Sequence, residues 1–289
     1  RVHGVDAAMK AARASYIAGA TATSNLLAGK VYGIKVTGTM AHSYVMAFDD
    51  EIEAFRAFAS DFPARAVLLI DTFDTVEGAR RAVRVASELA GEGFDLLGVR
   101  LDSGDVGALS RTVRNILDDA GFTECKIVAS GDLDEYRIEE LLSLGAPVDL
   151  FGVGTQLGTS GDAPSLAGVY KLVAGDSKPR IKLSTGKVTL PGVKQVFRVK
   201  KEGMYHHDVI GLEGEEPGGE PLLKPVMRGG RRIADPEPLD VPRARCKQAI
   251  ACLPNDLRSL HHNAEYKVVR SEQLEALIAE AQGQVTPHT

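Results

Sequence analysis

Two carboxylates, a guanidinium and a hydroxyl crowd into Arg100-Leu101-Asp102-Ser103-Gly104-Asp105. Arg100 and Asp102 are two residues apart, so on a strand their side chains share a face. An arginine lining a buried surface needs such an acidic partner. A carboxylate just past a strand end can accept hydrogen bonds from a sugar diol, or hold a divalent cation through water. On spacing alone, a structural ion pair and a ligand-binding pair are both open. Ser130-Gly131-Asp132 and Gly152-Val153-Gly154-Thr155 are glycine turns whose backbone amides could face an anion, or could simply allow tight turns. His42 opens a predicted helix; it is either a hydrogen-bonded structural residue or a nucleophile or base, and the second role needs an orienting acid. His206-His207 and His261-His262 are adjacent pairs. Neighbours on a strand point to opposite faces, which predicts surface residues rather than metal ligands. Cys125, Cys246 and Cys252 complete no zinc spacing.

The elements that would position these groups repeat. Apolar runs beginning at Ala66, Leu96 and Lys126 are 30 residues apart, the length of a strand-helix unit. The pattern predicts strands over 66–70, 96–100, 126–129 and 149–153, with helices over 75–90, 105–119 and 134–144 between them. Each strand runs into an acid, hydroxyl or glycine: Asp71, Asp102, Ser130, Gly154. In a parallel α/β barrel that end carries the chemistry. Upstream, the reading is a helix over 5–19, a short strand over 31–36 and a helix over 41–60. Beyond Tyr170 it changes to short strands at 170–173, 194–199 and 209–212. An exposed glycine-rich acidic loop follows at 214–220, and a helix at 271–281. The expected organisation is an α/β barrel domain over 1–180 and, over 181–289, a β-rich part of a second mixed domain with C-terminal helices. The boundary falls in the turn cluster Gly175-Asp176-Ser177-Lys178-Pro179.

With 44% hydrophobic and 25% charged residues the chain reads as globular, and no apolar run is long enough for a bilayer. A net charge of -5 disfavours nucleic acid, which needs clustered Lys and Arg. Three scattered cysteines make no disulfide framework and fit a reducing cytoplasm.

Taken in order, several stretches resemble nicotinate phosphoribosyltransferases. They are Thr23-Ser24-Asn25-Leu26-Leu27-Ala28-Gly29, Gly38-Thr39-Met40-Ala41-His42-Ser43, Leu69-Ile70-Asp71-Thr72-Phe73-Asp74-Thr75, Gly98 to Asp105, Ser130-Gly131-Asp132, Gly152 to Thr155, Tyr170 to Val173 and Pro191 to Arg198. The resemblance implies a type II phosphoribosyltransferase fold: an irregular parallel α/β barrel plus a mixed domain. The implied reaction joins nicotinate to 5-phosphoribosyl-1-pyrophosphate, giving nicotinate mononucleotide and pyrophosphate in NAD salvage. ATP hydrolysis is coupled to it by phosphorylation of a histidine, whose place His42 occupies. Arg100 and Asp102 match residues near base and ribose, and Ser24 lies in the segment near the base. Ser130, Gly131, Asp132, Gly154 and Thr155 match the ribose and 5′-phosphate cradle, with Asp71 counted among the substrate-binding residues. The resemblance further implies Mg2+ accompanying the pyrophosphate-bearing substrate, no metal held by the protein itself, and a homodimer. It also implies an upstream segment, ending at a paired arginine of which Arg1 is the second, that carries an aromatic residue stacked on the base. Other readings keep the fold but change the base to nicotinamide or quinolinate, or keep phosphosugar binding without turnover.

Overall fold

The computed structural model describes residues 3–176, 178–184, 188–261 and 264–284. Arg1, Ser177 and His262, each part of an expectation above, lie outside the described residues. The chain packs as two compact units, Arg1–Tyr16 with Ala20–Pro164, and Ile17–Gly19 with Ser165–Thr289.

The first unit begins with α1 (Gly4–Ala18, whose last two residues are counted with the second unit), α2 (Leu26–Tyr32), α3 (His42–Val45) and α4 (Glu51–Asp61). Strands and helices then alternate: β1 (Val67–Leu69), α5 (Thr75–Gly91), β2 (Gly98–Leu101), α6 (Val106–Asp119), β3 (Lys126–Ala129), α7 (Glu135–Ser143), β4 (Leu150–Phe151) and α8 (Thr155–Thr159). The strands form one sheet in the order β1-β2-β3-β4, all parallel. Leu69, Arg100 and Val128 stand side by side across it. This is the expected α/β class; among the described residues the sheet has four strands.

The 30-residue repeat works because each unit buries the same things. Leu68, Leu69, Val99, Leu101, Ile127 and Ala129 are fully buried, and Ala79, Ala82, Val85 and Ala86 of α5 and Val113 and Leu117 of α6 join the same core. Burying each larger aliphatic side chain contributes about 1.5–3 kcal/mol. Each helix starts on an aspartate: Asp74, Asp105 and Asp134 accept from the backbone N–H of Glu77, Ala108 and Arg137. These caps satisfy otherwise orphaned donors. Arg81 donates to the buried Glu51 at 2.7 Å, joining α5 to α4. Gly78 lets α5 lie against β1, since a Cβ there would come within 2.0 Å of the Ile70 carbonyl oxygen.

Upstream of β1 the structure departs from the sequence reading. Residues 31–36 are not a strand. Asn25 accepts from Ala28 N–H to start α2, which runs through Val31, and Gly33 ends it at a left-handed φ of 71°. Only Val36 keeps a strand-like pairing, with Thr23. The helix expected over 41–60 is two helices, because Asp50 caps a new one by accepting from Ile52 N–H.

The second unit contains β5 (Ala174–Gly175), β6 (Lys178–Pro179), β7 (Lys194–Lys201), β8 (Met204–Leu212), β9 (Glu220–Pro221), β10 (Met227–Arg228), β11 (Arg231–Arg232), α9 (Asp240–Ala251), β12 (Val268–Arg270) and α10 (Glu272–Gln284). Its main sheet has the order β12-β8-β7-β9, with β12 parallel to β8 and the other pairs antiparallel. The strand-rich C-terminal part is thus present. Leu274, Ile278 and Ala281 of α10 are buried, as are Phe197 and Val209 of the sheet. Residues 170–173, read as a strand, are irregular and leave Tyr170 exposed. Arg198 pairs with Asp208 through two hydrogen bonds, and Tyr266 donates to the same carboxylate. A register shift in the β7–β8 ladder also overturns the expectation that His206 and His207 face opposite ways: their Nδ1 atoms are 2.7 Å apart.

Gly78→Ala is expected to destabilise the first unit by about 1–3 kcal/mol, because the added methyl meets backbone that cannot yield. Gly91→Ala, on the same helix with open space around it, is expected to stabilise by roughly 0.5–1 kcal/mol. Denaturant melts of the two variants check this; equal effects would contradict the packing described.

Candidate active site

Because the four strands are parallel, their carboxyl ends lie along one edge, and the loops leaving them carry Asp71, Asp102, Ser130 and Gly154. Arg100 is the side chain that ties this edge together. Val99 and Leu101 on either side of it are fully buried in the helix-covered core, so Arg100 projects to the other face. Its Nε donates to Ser130 Oγ at 2.7 Å, Nη1 donates to Thr39 Oγ1 at 2.8 Å, and Nη2 donates to Asp102 Oδ1 at 2.5 Å. One guanidinium therefore pins the ends of β2 and β3 and the loop before α3.

Asp102 is held from every side. Its Oδ1 accepts from Arg100 and, at 2.5 Å, from Ser130 Oγ. Its backbone N–H donates to Asp71 Oδ2 at 2.8 Å, and Ser103 Oγ donates to the same oxygen at 2.6 Å. Gly131, at φ 89°, passes so close to this loop that a Cβ would come within 1.9 Å of the Asp102 carbonyl oxygen. Both the space and the φ demand glycine. His42 Nδ1 shares a hydrogen bond with Thr72 Oγ1 at 3.0 Å, and its Nε2 lies 3.7 Å from Asp102 Oδ2. Burial pushes the Asp102 carboxyl up, but the Ser130 hydroxyl, the Arg100 guanidinium and His42 together outweigh it and hold the group below its ordinary value. Asp102 is thus a fixed carboxylate, with Oδ1 committed to the protein and Oδ2 turned toward His42. Its side chain is 27% exposed and that of His42 38%, so solvent and solutes reach both.

The structure brings His42, Asp71, Arg100, Asp102 and Ser130 into one hydrogen-bonded cluster, with Gly131 against it. Among the described residues no hydrogen bond joins Ser24, Asp132, Gly154 or Thr155 to that cluster. Gly154 and Thr155 lie beyond β4 on the same edge, and Thr155 begins the short α8. Ser24 is exposed beside the Thr23–Val36 bridge, and Asp132 is exposed at φ 45°. Thr39 and Thr72 are partners that sequence reasoning did not single out, whereas the hydroxyl noted in the Arg100–Asp105 stretch is Ser103, bonded to Asp71. Both sit beside groups that were weighed, Thr39 three residues before His42 and Thr72 directly after Asp71, but nothing in the sequence pairs them with Arg100 or His42. Asp105, weighed as a ligand, is the cap of α6. A cavity of about 240 Å³ opens beyond β4, lined by Asp134, Tyr136, Gln156 and Ser160 among others. A larger one, about 580 Å³, lies in the second unit around Phe197 and Glu215. Neither includes a residue of the cluster, and size is a poorer guide here than the convergence of charged groups at strand ends.

A parallel α/β sheet with charged groups converging at its carboxyl edge defines a protein of the α/β class whose candidate site lies at the strand ends. The family model for the nicotinate phosphoribosyltransferase (NAPRTase) family matches residues 3–174, and that for the nicotinate phosphoribosyltransferase C-terminal domain matches residues 218–278. The chain belongs to the nicotinate phosphoribosyltransferase family. It is 50% identical over 276 residues to nicotinate phosphoribosyltransferase pncB2 of Mycobacterium tuberculosis, covering 95% of this chain and 59% of that protein. It is 45% identical to nicotinate phosphoribosyltransferase of Bacillus subtilis over 78% of this chain and 47% of that protein. The chain thus spans roughly half of these relatives' length. The crystal structure of human nicotinic acid phosphoribosyltransferase superposes with a TM-score of 0.84 at 28% identity, over 97% of this chain and 68% of that one.

The Asp102 carboxyl is expected to titrate below the ordinary aspartate value of about 4. Stability linked to it is then fully present above the unfolded-state value and lost as pH falls through the lower folded value. In Ser130→Ala the folded value should rise, narrowing that acid window. Carboxyl-carbon NMR across pH 2–6 reads both chains; an unchanged Asp102 midpoint would contradict the role given to Ser130.

Proposed function

We propose that the protein to which this chain belongs is a nicotinate phosphoribosyltransferase of NAD salvage. It joins nicotinate and 5-phosphoribosyl-1-pyrophosphate to give nicotinate mononucleotide and pyrophosphate. The observation that carries the reading is a carboxylate, Asp102, locked in its ionised form at the carboxyl edge of the sheet in a chain of this family. When pyrophosphate departs, positive charge builds at the ribose anomeric carbon. A pre-positioned anion stabilises that charge without reorganising. Arg100 acts chiefly by holding Asp102, since its Nε, Nη1 and Nη2 are all engaged with protein groups. The ring nitrogen of nicotinate attacks through its own lone pair, so no general base is required. Gly131, Asp132, Gly154 and Thr155, on loops leaving β3 and β4, supply backbone and hydroxyl groups for the ribose and its 5′-phosphate, and Ser24 serves the base.

Magnesium belongs with the pyrophosphate-bearing donor, whose charge it neutralises when bound. The carboxylates at the strand ends are the hard oxygen donors that suit such an ion through its water shell. Asp71 Oδ1, buried without a hydrogen-bond partner, and Asp102 Oδ2, which faces His42, are the oxygens of this cluster that would accept from that water shell. ATP coupling runs through His42, whose Nε2 faces the site while Thr72 orients the ring through Nδ1. Phosphorylation there would place negative charge beside Asp102 and favour ordering of cationic and magnesium-bearing groups around the donor. The protein acts as a cytoplasmic homodimer. No helix among the described residues is long and apolar enough to cross a membrane. A Pyrococcus furiosus chain named nicotinate-nucleotide pyrophosphorylase shares the fold at a TM-score of 0.70 and 28% identity, over 85% of this chain and 63% of that one, which supports the nicotinate reading.

In the full-length protein, Asp102→Asn is expected to lower kcat by about a hundredfold or more with little change in KM for the donor. Unchanged kcat with a raised KM would refute the role of the charge. His42→Ala should abolish ATP hydrolysis and leave slow phosphoribosyl transfer. Product formation and ATP hydrolysis measured together, with nicotinate, nicotinamide and quinolinate as bases, test coupling and base choice at once. Coupled hydrolysis in the mutant would remove His42, and preference for another base would replace nicotinate.

A further inference from the structure

His206 and His207 lie in the second unit, in β8, and belong to neither the strand-end cluster nor the reaction proposed for it. In a regular strand their side chains would diverge. The β7–β8 ladder pairs Val199 with His207 but Lys200 with Tyr205, leaving His206 without an opposite residue. It is the extra residue of a β-bulge, which re-aims a side chain at the cost of one ladder position. Arg198, Lys200, Tyr205 and Asp208 stay together on the other face, where Arg198 lies 4.6 Å over the Tyr205 ring and bonds Asp208. The bulged His206 instead turns toward His207, placing the two Nδ1 atoms 2.7 Å apart and the rings 76° to one another.

Two imidazole nitrogens at that separation cannot both present free lone pairs to each other: either one carries a proton and donates it to the other, or both lone pairs meet one cation. We propose that the pair is a two-toothed chelate for a first-row divalent transition metal, taken in the order copper(II) over nickel or zinc. Imidazole nitrogens sit about 2.0–2.1 Å from such ions. Two of them bound side by side are then about 2.9 Å apart at a right angle and about 3.3 Å apart in a tetrahedron. The bulge holds them within a few tenths of an ångström of the first geometry. Among the described residues no third His, Cys, Asp or Glu joins them. Water completes the coordination, and the site is an exchangeable one at the surface, where His206 is exposed. Because the bulge pre-sets the two nitrogens, the folded hairpin binds the ion more tightly than the unfolded chain, in which the same two neighbours must first be ordered, and binding favours the fold by that difference.

The test is titration of the chain with copper(II) under electron paramagnetic resonance, alongside thermal melts with nickel(II). The proposal expects one equivalent bound with two equatorial nitrogens, and a melting temperature that rises with nickel concentration. His206→Asn and His207→Asn should each weaken binding by about tenfold or more, since the second imidazole acts at high effective concentration. His261→Asn, an exposed histidine of the same unit, should leave it unchanged. Melts without metal confirm that every variant folds. No saturable binding, a signal with one nitrogen, or binding that survives in both His206→Asn and His207→Asn would overturn the proposal and leave a pair bridged by a proton.

Discussion

The contact on which the site depends is the one between Arg100 and Asp102. An arginine in an inner strand of a parallel sheet, flanked by fully buried Val99 and Leu101, has its charged end largely shielded from water on the far face. Such a group is tolerable only if its donors are met. Asp102, Ser130 and Thr39 meet them, and in doing so draw three separate loops to one place. The same network serves Asp102: the Ser130 hydroxyl, the Arg100 guanidinium and His42 keep its carboxylate charged against its own burial. A stability requirement of the strand and an electrostatic requirement of the chemistry are thus met by the same bonds.

Much of this was legible because the repeat is short and strict. Apolar runs of four residues ending in a polar turn fit buried parallel strands, and the two-residue spacing of Arg100 and Asp102 put them on one face. The aspartates at 74, 105 and 134 were also visible, although whether such a residue caps a helix or faces a ligand depends on which way a loop turns. Asp102 and Asp105 are three residues apart and took opposite roles for that reason. Residues 31–36 misled because Val31, Ile34 and Val36 suit a strand, whereas Asn25 and Gly33 are the caps of a helix, and the caps prevailed. Thr39 and Thr72 were not legible as partners of Arg100 and His42, because those contacts span 61 and 30 residues. The helix α9 escaped notice since it buries none of its residues and so carries no periodic apolar stripe.

The bulge in β8 shows the same limit from the other side. Period-two alternation correctly describes a strand until a single residue loses its partner, and nothing in His206-His207 announces that event. Once it occurs, neighbours that alternation holds apart become a pair. The consequence is local to the second unit, whose sheet otherwise rests on the ion pair of Arg198 with Asp208 and the buried stripe of α10.

If the strand-end cluster acts as one unit, its members cannot be removed independently. The most direct measurement is a double-mutant cycle on kcat/KM in the full-length protein, with Arg100→Lys, Ser130→Ala and the two combined. Residues sharing one network show interaction free energies of about 0.5–3 kcal/mol, and Arg100 and Ser130 share Asp102 as well as a bond of their own. A double mutant distinctly less impaired than the sum of the singles is the predicted result. Strict additivity would mean that Arg100 and Ser130 do not act through the same carboxylate, and would contradict the account.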